Sequence, residues 1–482
     1  MLSSKQRTRR DTPHLLLLLC LLFSVSAHAQ RLVFAHYMLA NQDTVADEPT
    51  GEPNIAAYQR EIQQAQSIGI DGFALNAGGW SKEPRYIRRA SEMFEAAYRL
   101  HSNFKLMFSA DMCCSNDAAD VLDMVRRFAN NPRYAPVYFQ HDGRFVLTTF
   151  AGSSHGPEFW QQLRDDLEHG TNPSHLATPN ALSYAAGVPS SAPLRVFLVP
   201  SFFWGGETPT VADIVSGLKP YDHIIDGAFY WGIAGSPGLG HTPDQLPSSA
   251  AYAATLHAAH KLYMAPICFQ FWGANANRYY EYSGYQGMRS LWMQTIQTTH
   301  PDWVEIITWN DFVEGTYVSP IDDPAKYPGA NDLGASIAPT DTQRFFHSHR
   351  GATDLLAYFI AWYKTGQQPT LHNDTIYWAY RTVLSTDHQP PIQLYGPVAD
   401  TLYVTANLTA PADLTVAIGP IALTITLPAG SNDLQLPLPP GPAPRFTLTR
   451  NHTVLTQATA DDPITATAPY PNLYNSTGSM HD

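Results

Sequence analysis

Two carboxylic acids stand three residues apart at Asp311 and Glu314, directly after the apolar run Val304–Thr308 and beside Trp309 and Asn310. Hydrolysis of a glycosidic bond needs such a pair. One carboxyl group protonates the leaving oxygen, and the other acts as base or nucleophile on the opposite face of the ring. The same Asp-x-x-Glu spacing also opens helices, where the aspartate caps and the glutamate reaches back. Spacing alone leaves both readings open.

Other polar and aromatic residues recur where apolar runs end. The first run ends in His36-Tyr37, the second in Asn76, the third in Asp111, and the fifth in Ser201 followed by Trp204. The sixth ends in Tyr230-Trp231 and the seventh in Gln270-Phe271-Trp272. A hydrogen-bonding group beside an aromatic ring at several strand ends is how a sugar cleft is walled. Each residue also has a plainer reading. Asp111 before a helical segment fits an N-cap, His36 fits a hydrogen-bonded core histidine, and Trp231 and Trp272 fit core positions.

These residues need a frame that gathers strand ends in one place. From Arg31 to about Lys364 the chain alternates apolar, β-rich runs with amphipathic stretches. The predicted strands are Leu32–His36, Gly72–Asn76, Phe104–Ala110, Phe145–Phe150, Val196–Pro200, Gly227–Trp231, Tyr263–Phe269 and Val304–Thr308. The predicted helices are Ala56–Ile68, Pro84–Leu100, Ala118–Ala129, Pro157–Glu168, Val211–Leu218, Ser249–Lys261, Gly287–Thr298 and Thr353–Lys364. The strands are near-continuous apolar runs, as expected when both faces are covered. Eight β-then-α units in this length predict an α/β fold of the (β/α)8 TIM-barrel type spanning 30–368. No glycine-rich phosphate loop follows the first strand, which argues against dinucleotide binding.

Beyond about Gln367 the chain is rich in Thr, Val, Leu and Pro. The runs Leu402–Thr405, Leu414–Ile418, Leu423–Leu427 and Arg445–Leu448 alternate and are separated by Pro/Gly turns. They predict a smaller C-terminal antiparallel β-sandwich over 369–465, either glycan-binding or a structural appendage. The tail 466–482 is expected to be disordered on composition. Asn373, Asn407, Asn451 and Asn475 each begin an N-x-Ser/Thr triplet, all in this part of the chain.

The start of the chain has the layout of an export signal over 1–29. Lys5, Arg7, Arg9 and Arg10 precede the apolar run Leu15–Val25, and Ala27-His28-Ala29 supplies a small-x-small cleavage pattern. An uncleaved anchor is the alternative. Four basic residues and one acidic residue leave with that segment, so the remainder carries 25 Lys and Arg against 41 Asp and Glu. This acidic balance argues against nucleic acid and anionic membrane as partners, and a surface kept acidic only for solubility explains it equally. A neutral polysaccharide is compatible with it. Cys113, Cys114 and Cys268 remain after the signal. They allow one long-range disulfide to Cys268 or three free thiols, and none has zinc-site spacing. No cofactor or metal is expected, and a secreted monomer is.

Phe34-Ala35-His36-Tyr37-Met38, Gly69-Ile70-Asp71-Gly72-Phe73-Ala74-Leu75-Asn76 and the stretch Phe104 to Asp111-Met112 together resemble glycoside hydrolase family 71. So does Glu305-Ile306-Ile307-Thr308-Trp309-Asn310-Asp311-Phe312-Val313-Glu314, with Leu355–Gly366 and Ile376–Arg381 following in order. The resemblance implies an endo-acting α-1,3-glucanase (mutanase), a barrel with a β-rich C-terminal domain, and inversion at the anomeric carbon. It makes Asp311 and Glu314 the catalytic pair, with Glu314 as proton donor and Asp311 as the base that activates water. It places Asp111 in the substrate cleft, and the strand-end reading adds His36, Asn76, Trp231, Trp272, Trp309 and Asn310 as expected substrate-binding residues. The residues around Glu314, Val313 and Gly315, depart from the family's usual pattern there, which leaves fine specificity open. Two rivals share most of these features: a barrel glycosidase acting on another α-linked glycan such as an α-mannoside, and a glycan-binding protein without catalysis.

Overall fold

The computed structural model describes residues 31–40, 52–113, 117–170, 193–204, 209–231, 247–273, 278–312, 314–320, 349–384, 393–395, 400–465 and 475–481. The expected export signal lies outside them. Among the described residues no helix is long and apolar enough to cross a membrane.

Eight strands alternate with eight helices. The strands are β1 (Leu32–Met38), β2 (Gly72–Ala77), β3 (Lys105–Asp111), β4 (Arg144–Phe150), β5 (Val196–Val199), β6 (Gly227–Phe229), β7 (Leu262–Ile267) and β8 (Trp303–Ile306). Each is followed by its helix: α1 (Glu52–Ser67), α2 (Pro84–Leu100), α3 (Ala118–Ala129), α4 (Pro157–His169), α5 (Val211–Leu218), α6 (Pro247–Ala258), α7 (Tyr285–Gln294) and α8 (Arg350–Thr365). Neighbouring strands pair in parallel from β1 through β5 and from β6 through β8 back to β1. The ring closes between β5 and β6 through the parallel bridge Ser201–Phe229. There Phe202 donates to Phe229 O at 3.0 Å and Phe229 donates to Pro200 O at 3.0 Å. The fold is a (β/α)8 barrel.

Local signals set the element ends. Pro84 opens α2 in the first helical turn, where its missing N–H costs nothing. Asp117 and Asp120 form a reciprocal capping box on α3. Gly72 starts β2 where a Cβ atom would lie 2.3 Å from Lys105 O, so only glycine lets the strands approach. On the N-terminal side of the ring, Asp71 accepts from Val33 N at 2.8 Å and pairs with Lys364 of α8 at 2.7 Å.

Inward-facing residues fill the barrel in layers. Near its N-terminal end Trp303 is met by Phe34 at 5.7 Å, Phe139 at 5.2 Å and Phe197 at 5.9 Å between ring centroids. This aromatic plug closes the floor. Register sets His36 beside Ala74 and Met107 above it, with Glu305 reaching His36 from β8, then Met38 beside Asn76 and Ser109, and Asp111 at the end of β3. The C-terminal mouth is therefore the polar end.

The C-terminal part holds β9 (Thr375–Arg381), β10 (Thr401–Leu408), β11 (Ala412–Ile418), β12 (Ile421–Leu427), β13 (Gly430–Pro437), β14 (Arg445–Arg450), β15 (Thr453–Thr459) and β16 (Asn475–His481). They form two antiparallel sheets of four, ordered β13-β10-β9-β16 and β12-β11-β14-β15. An apolar core lies between them, with Trp378 stacked on Phe446 at 4.6 Å. Strand β16 corrects the expectation of a structureless tail: it pairs with β9 over seven residues, with Met480 buried. Backbone hydrogen bonds to an open sheet edge order this polar segment, and they leave no mark on composition. Phe271–Gly273, Arg278–Tyr280 and Gln393–Tyr395 form a further small sheet, too short to read from periodicity.

The cysteines also settle one alternative. Neither Cys113 nor Cys268 is in a disulfide. Cys114 lies outside the described residues.

Candidate active site

Beyond β8 the chain passes a cis peptide bond between Ile307 and Thr308 and enters a tight excursion over the barrel mouth. Trp309 N donates to His36 O at 2.7 Å, and Ile307 N to Ile267 O at 2.7 Å, so both flanking strands hold its entry. Thr308 and Thr316 share a backbone bond of 3.1 Å and hydroxyls 3.0 Å apart, which closes the excursion at its base. Ser319 N returns to Trp309 O at 2.9 Å.

Asp311 sits inside this closed turn. Its N–H donates to Thr308 Oγ1 at 2.8 Å, and its Oδ1 accepts from Glu314 N at 3.1 Å. No helix follows, because Thr316 N turns back to Asp311 O. The Asp-x-x-Glu spacing therefore belongs to a closed turn with no helix behind it, and the helix-cap alternative falls away. The turn fixes Asp311 against the backbone of Glu314 and leaves the Glu314 side chain half-buried.

The surroundings of Glu314 come from β7 and the segment immediately C-terminal to it. Burial pushes the Cys268 thiol up to about 12, with the Glu314 carboxylate adding to the rise. Tyr282 is raised well above the usual phenol range, first by burial and then by Cys268, with Glu314 contributing again. Cys268 and Tyr282 are thus both enclosed and neutral, within electrostatic reach of the Glu314 carboxyl group. Gln270 donates through Nε2 to Gly315 O at 2.8 Å. His349 Nδ1 donates to Tyr317 O at 2.6 Å while its ring stacks on Tyr317 at 3.8 Å. These two side chains hold the far side of the turn.

The expected cleft residues separate into three groups. Asn76 and Asp111 meet at the mouth, 3.5 Å apart, and Cys113 N donates to Asp111 Oδ1 at 3.1 Å. The cap of α3 is Asp117, so Asp111 is not a helix cap. His36 lies one layer lower, with Nδ1 2.8 Å from Glu305 Oε1 and its ring 4.5 Å from Trp231. Trp231 is buried and also meets Phe150 at 5.1 Å. The third group turns away. Trp309 is fully buried and tilted against Phe73 at 5.3 Å, which makes it a core residue with no face for a ligand. Asn310 clamps the turn to β1: its Oδ1 accepts from Met38 N at 2.7 Å and its Nδ2 donates to Met38 O at 3.1 Å. Trp272 lies on the strand Phe271–Gly273, and its side chain is outside the described residues.

Glu305 and Tyr282 escaped the reading of the sequence. Glu305 had a signal, being an acid inside the apolar run Val304–Thr308. Tyr282 had none, since it is one of several tyrosines in a short irregular segment. Among the described residues no cluster of His, Cys, Asp and Glu could hold a metal ion.

The family profile described as glycosyl hydrolase family 71 matches residues 29–479. The glucan endo-1,3-alpha-glucosidase agn1 of Schizosaccharomyces pombe is 25% identical over 477 residues, covering 97% of this chain and 99% of its own. A mutanase of Penicillium rubens is 25% identical over 417 residues, covering 84% of this chain and 79% of its own. Among solved structures, an endo-alpha-mannosidase of family GH99 from Bacteroides thetaiotaomicron aligns with a TM-score of 0.45 at 10% identity, covering 69% of this chain and 97% of that one.

Proposed function

This chain belongs to glycosyl hydrolase family 71 and is a glycoside hydrolase, and from that premise we propose that it is an exported, endo-acting α-1,3-glucanase. The observation that carries the substrate is the end-to-end alignment with a relative named as a glucan endo-1,3-alpha-glucosidase. The turn around Asp311 and Glu314 supports the assignment of the catalytic pair. Export rests on the layout of residues 1–29.

In this reading Glu314 is the general acid. Its side chain is half-buried at the edge of the turn, where a carboxylic acid can hand its proton to the leaving oxygen as the bond breaks. Asp311 is the general base. The bonds at its backbone N–H and Oδ1 hold its carboxylate in one orientation, as a group that must draw a proton from one water requires. Water then attacks the anomeric carbon as the glycosidic bond breaks, and the configuration inverts. Asn76, Asp111 and Trp231 bind the sugar flanking the scissile bond.

The test is incubation of purified protein with insoluble α-1,3-glucan, beside Asp311→Asn and Glu314→Gln. Release of reducing sugar by the wild type, cut about 10³-fold in either variant, is expected, a loss of about 4 kcal/mol in transition-state stabilisation. The anomer released first, read by proton NMR, reports inversion. A protein that binds this glucan and releases nothing is a binding protein, and the catalytic reading fails.

A further inference from the structure

On the flank of the barrel, away from the polar mouth, a cavity of about 280 Å³ opens between α7, α8 and the outer face of the C-terminal sheet. That volume equals the liquid share of about nine waters, the scale of a sugar ring with its hydroxyls. Its walls have a helical origin. Tyr285, Arg289, Met293 and Gln297 follow one another at four-residue steps, and Leu355, Tyr358 and Trp362 form the facing stripe. The first stripe runs roughly 18 Å along its helix.

Two properties of this groove point to a ligand. Tyr358 and Trp362 pack on the barrel core yet stay partly open, with rings 6.2 Å apart and edge-on, so they offer two differently oriented apolar faces. Among the twelve lining residues Arg289 alone is charged, and Asp433 neutralises it at 2.6 Å. The same Asp433 accepts from Thr405 Oγ1 at 2.8 Å, and Gln368 donates to Tyr358 Oη at 2.9 Å. The polar atoms are thus pre-arranged with no net charge. A concave site with aromatic faces and a few oriented neutral dipoles fits an uncharged polyhydroxylated ligand and disfavours an ion.

We propose that this groove is a second glycan-binding site, which holds a neutral α-glucan chain on the flank of the barrel while another part of the polymer occupies the mouth. The choice of α-glucan rests on the catalytic reading above; the choice of a neutral glycan rests on the groove alone. Two linked contacts on one polymer raise effective concentration without adding contacts at the catalytic site. The groove therefore matters for insoluble polymer and not for a short soluble chain.

The experiment measures retention of the Asp311→Asn protein on insoluble α-1,3-glucan, alone and combined with Trp362→Ala or with Ser431→Arg. Ser431 is an exposed lining residue, so its replacement blocks the groove without disturbing the core. Retention about tenfold weaker in both combinations is expected. In the active background, Trp362→Ala and Ser431→Arg should hydrolyse a soluble α-1,3-gluco-oligosaccharide within twofold of wild type. Unchanged retention in the Ser431→Arg combination overturns the proposal, as does a parent protein that is not retained at all. Sugar release by the wild type is scored separately and judges the catalytic reading.

Discussion

His36 Nδ1 lies 2.8 Å from Glu305 Oε1, and both side chains are wholly buried on adjacent strands, the first and the last of the barrel. The pair joins those two strands directly beneath the proposed catalytic turn, with Trp231 against the imidazole. A polar pair in this position is costly to split. Removing one member leaves the other in an apolar enclosure, typically a loss of about 3–5 kcal/mol. Glu305→Ala and His36→Ala should each destabilise on that scale in urea melts. The double variant should be less unstable than the two losses combined, by at least about 1 kcal/mol. Strict additivity would show that the two side chains act independently.

Asn310 should govern catalysis without touching substrate. Its two bonds to Met38 tie the turn bearing Asp311 to β1. Asn310→Ala releases that tie and leaves a partly buried N–H and C=O unsatisfied, which costs about 1–3 kcal/mol. A displacement of the turn should lower kcat about 10²-fold with KM little changed. An equal loss confined to KM would instead mark Asn310 as a binding residue.

Glu61 makes stability depend on pH. It is enclosed on α1, where burial outweighs its 2.6 Å bond from the Tyr37 hydroxyl and raises its pKa from 4.5 to about 7. Between those values the folded protein keeps a proton that the unfolded chain has released. Stability therefore falls as pH rises from 4.5 to 7 and levels off above, a total on the order of 3 kcal/mol. Glu61→Gln should flatten this slope and be more stable than wild type at pH 8, with little difference at pH 4.5. Parallel stability profiles for the two proteins would refute the assignment.

The thiols should differ in reactivity. Cys113 is exposed, whereas Cys268 is enclosed with its pKa pushed up to about 12, so almost no thiolate is available to attack. Iodoacetamide at pH 8 should label Cys113 in the native protein and Cys268 only after denaturation. Rapid native labelling of Cys268 on peptide mapping would contradict its enclosure.

Features that depend on local pattern were legible along the chain. Runs such as Val196–Pro200 and amphipathic stretches such as Pro84–Leu100 reveal strand and helix because their periodicity follows from backbone geometry. Eight repeats of that alternation leave few ways to cover both faces of the strands, and the barrel is the result. Asp311 and Glu314 stood out because two acids directly after an apolar run are conspicuous wherever the chain folds. Tertiary structure decided which way the neighbouring side chains point. Trp309 packs on Phe73 and Trp231 on the His36 imidazole, although both come after apolar strands and look alike in sequence. Their directions depend on how the ring closes and on bonds such as Trp309 N to His36 O between residues far apart in the chain. For the same reason Asp117 rather than Asp111 caps α3, Cys268 forms no disulfide, and the polar tail becomes β16: each outcome depends on a partner or a distance that only the closed fold supplies.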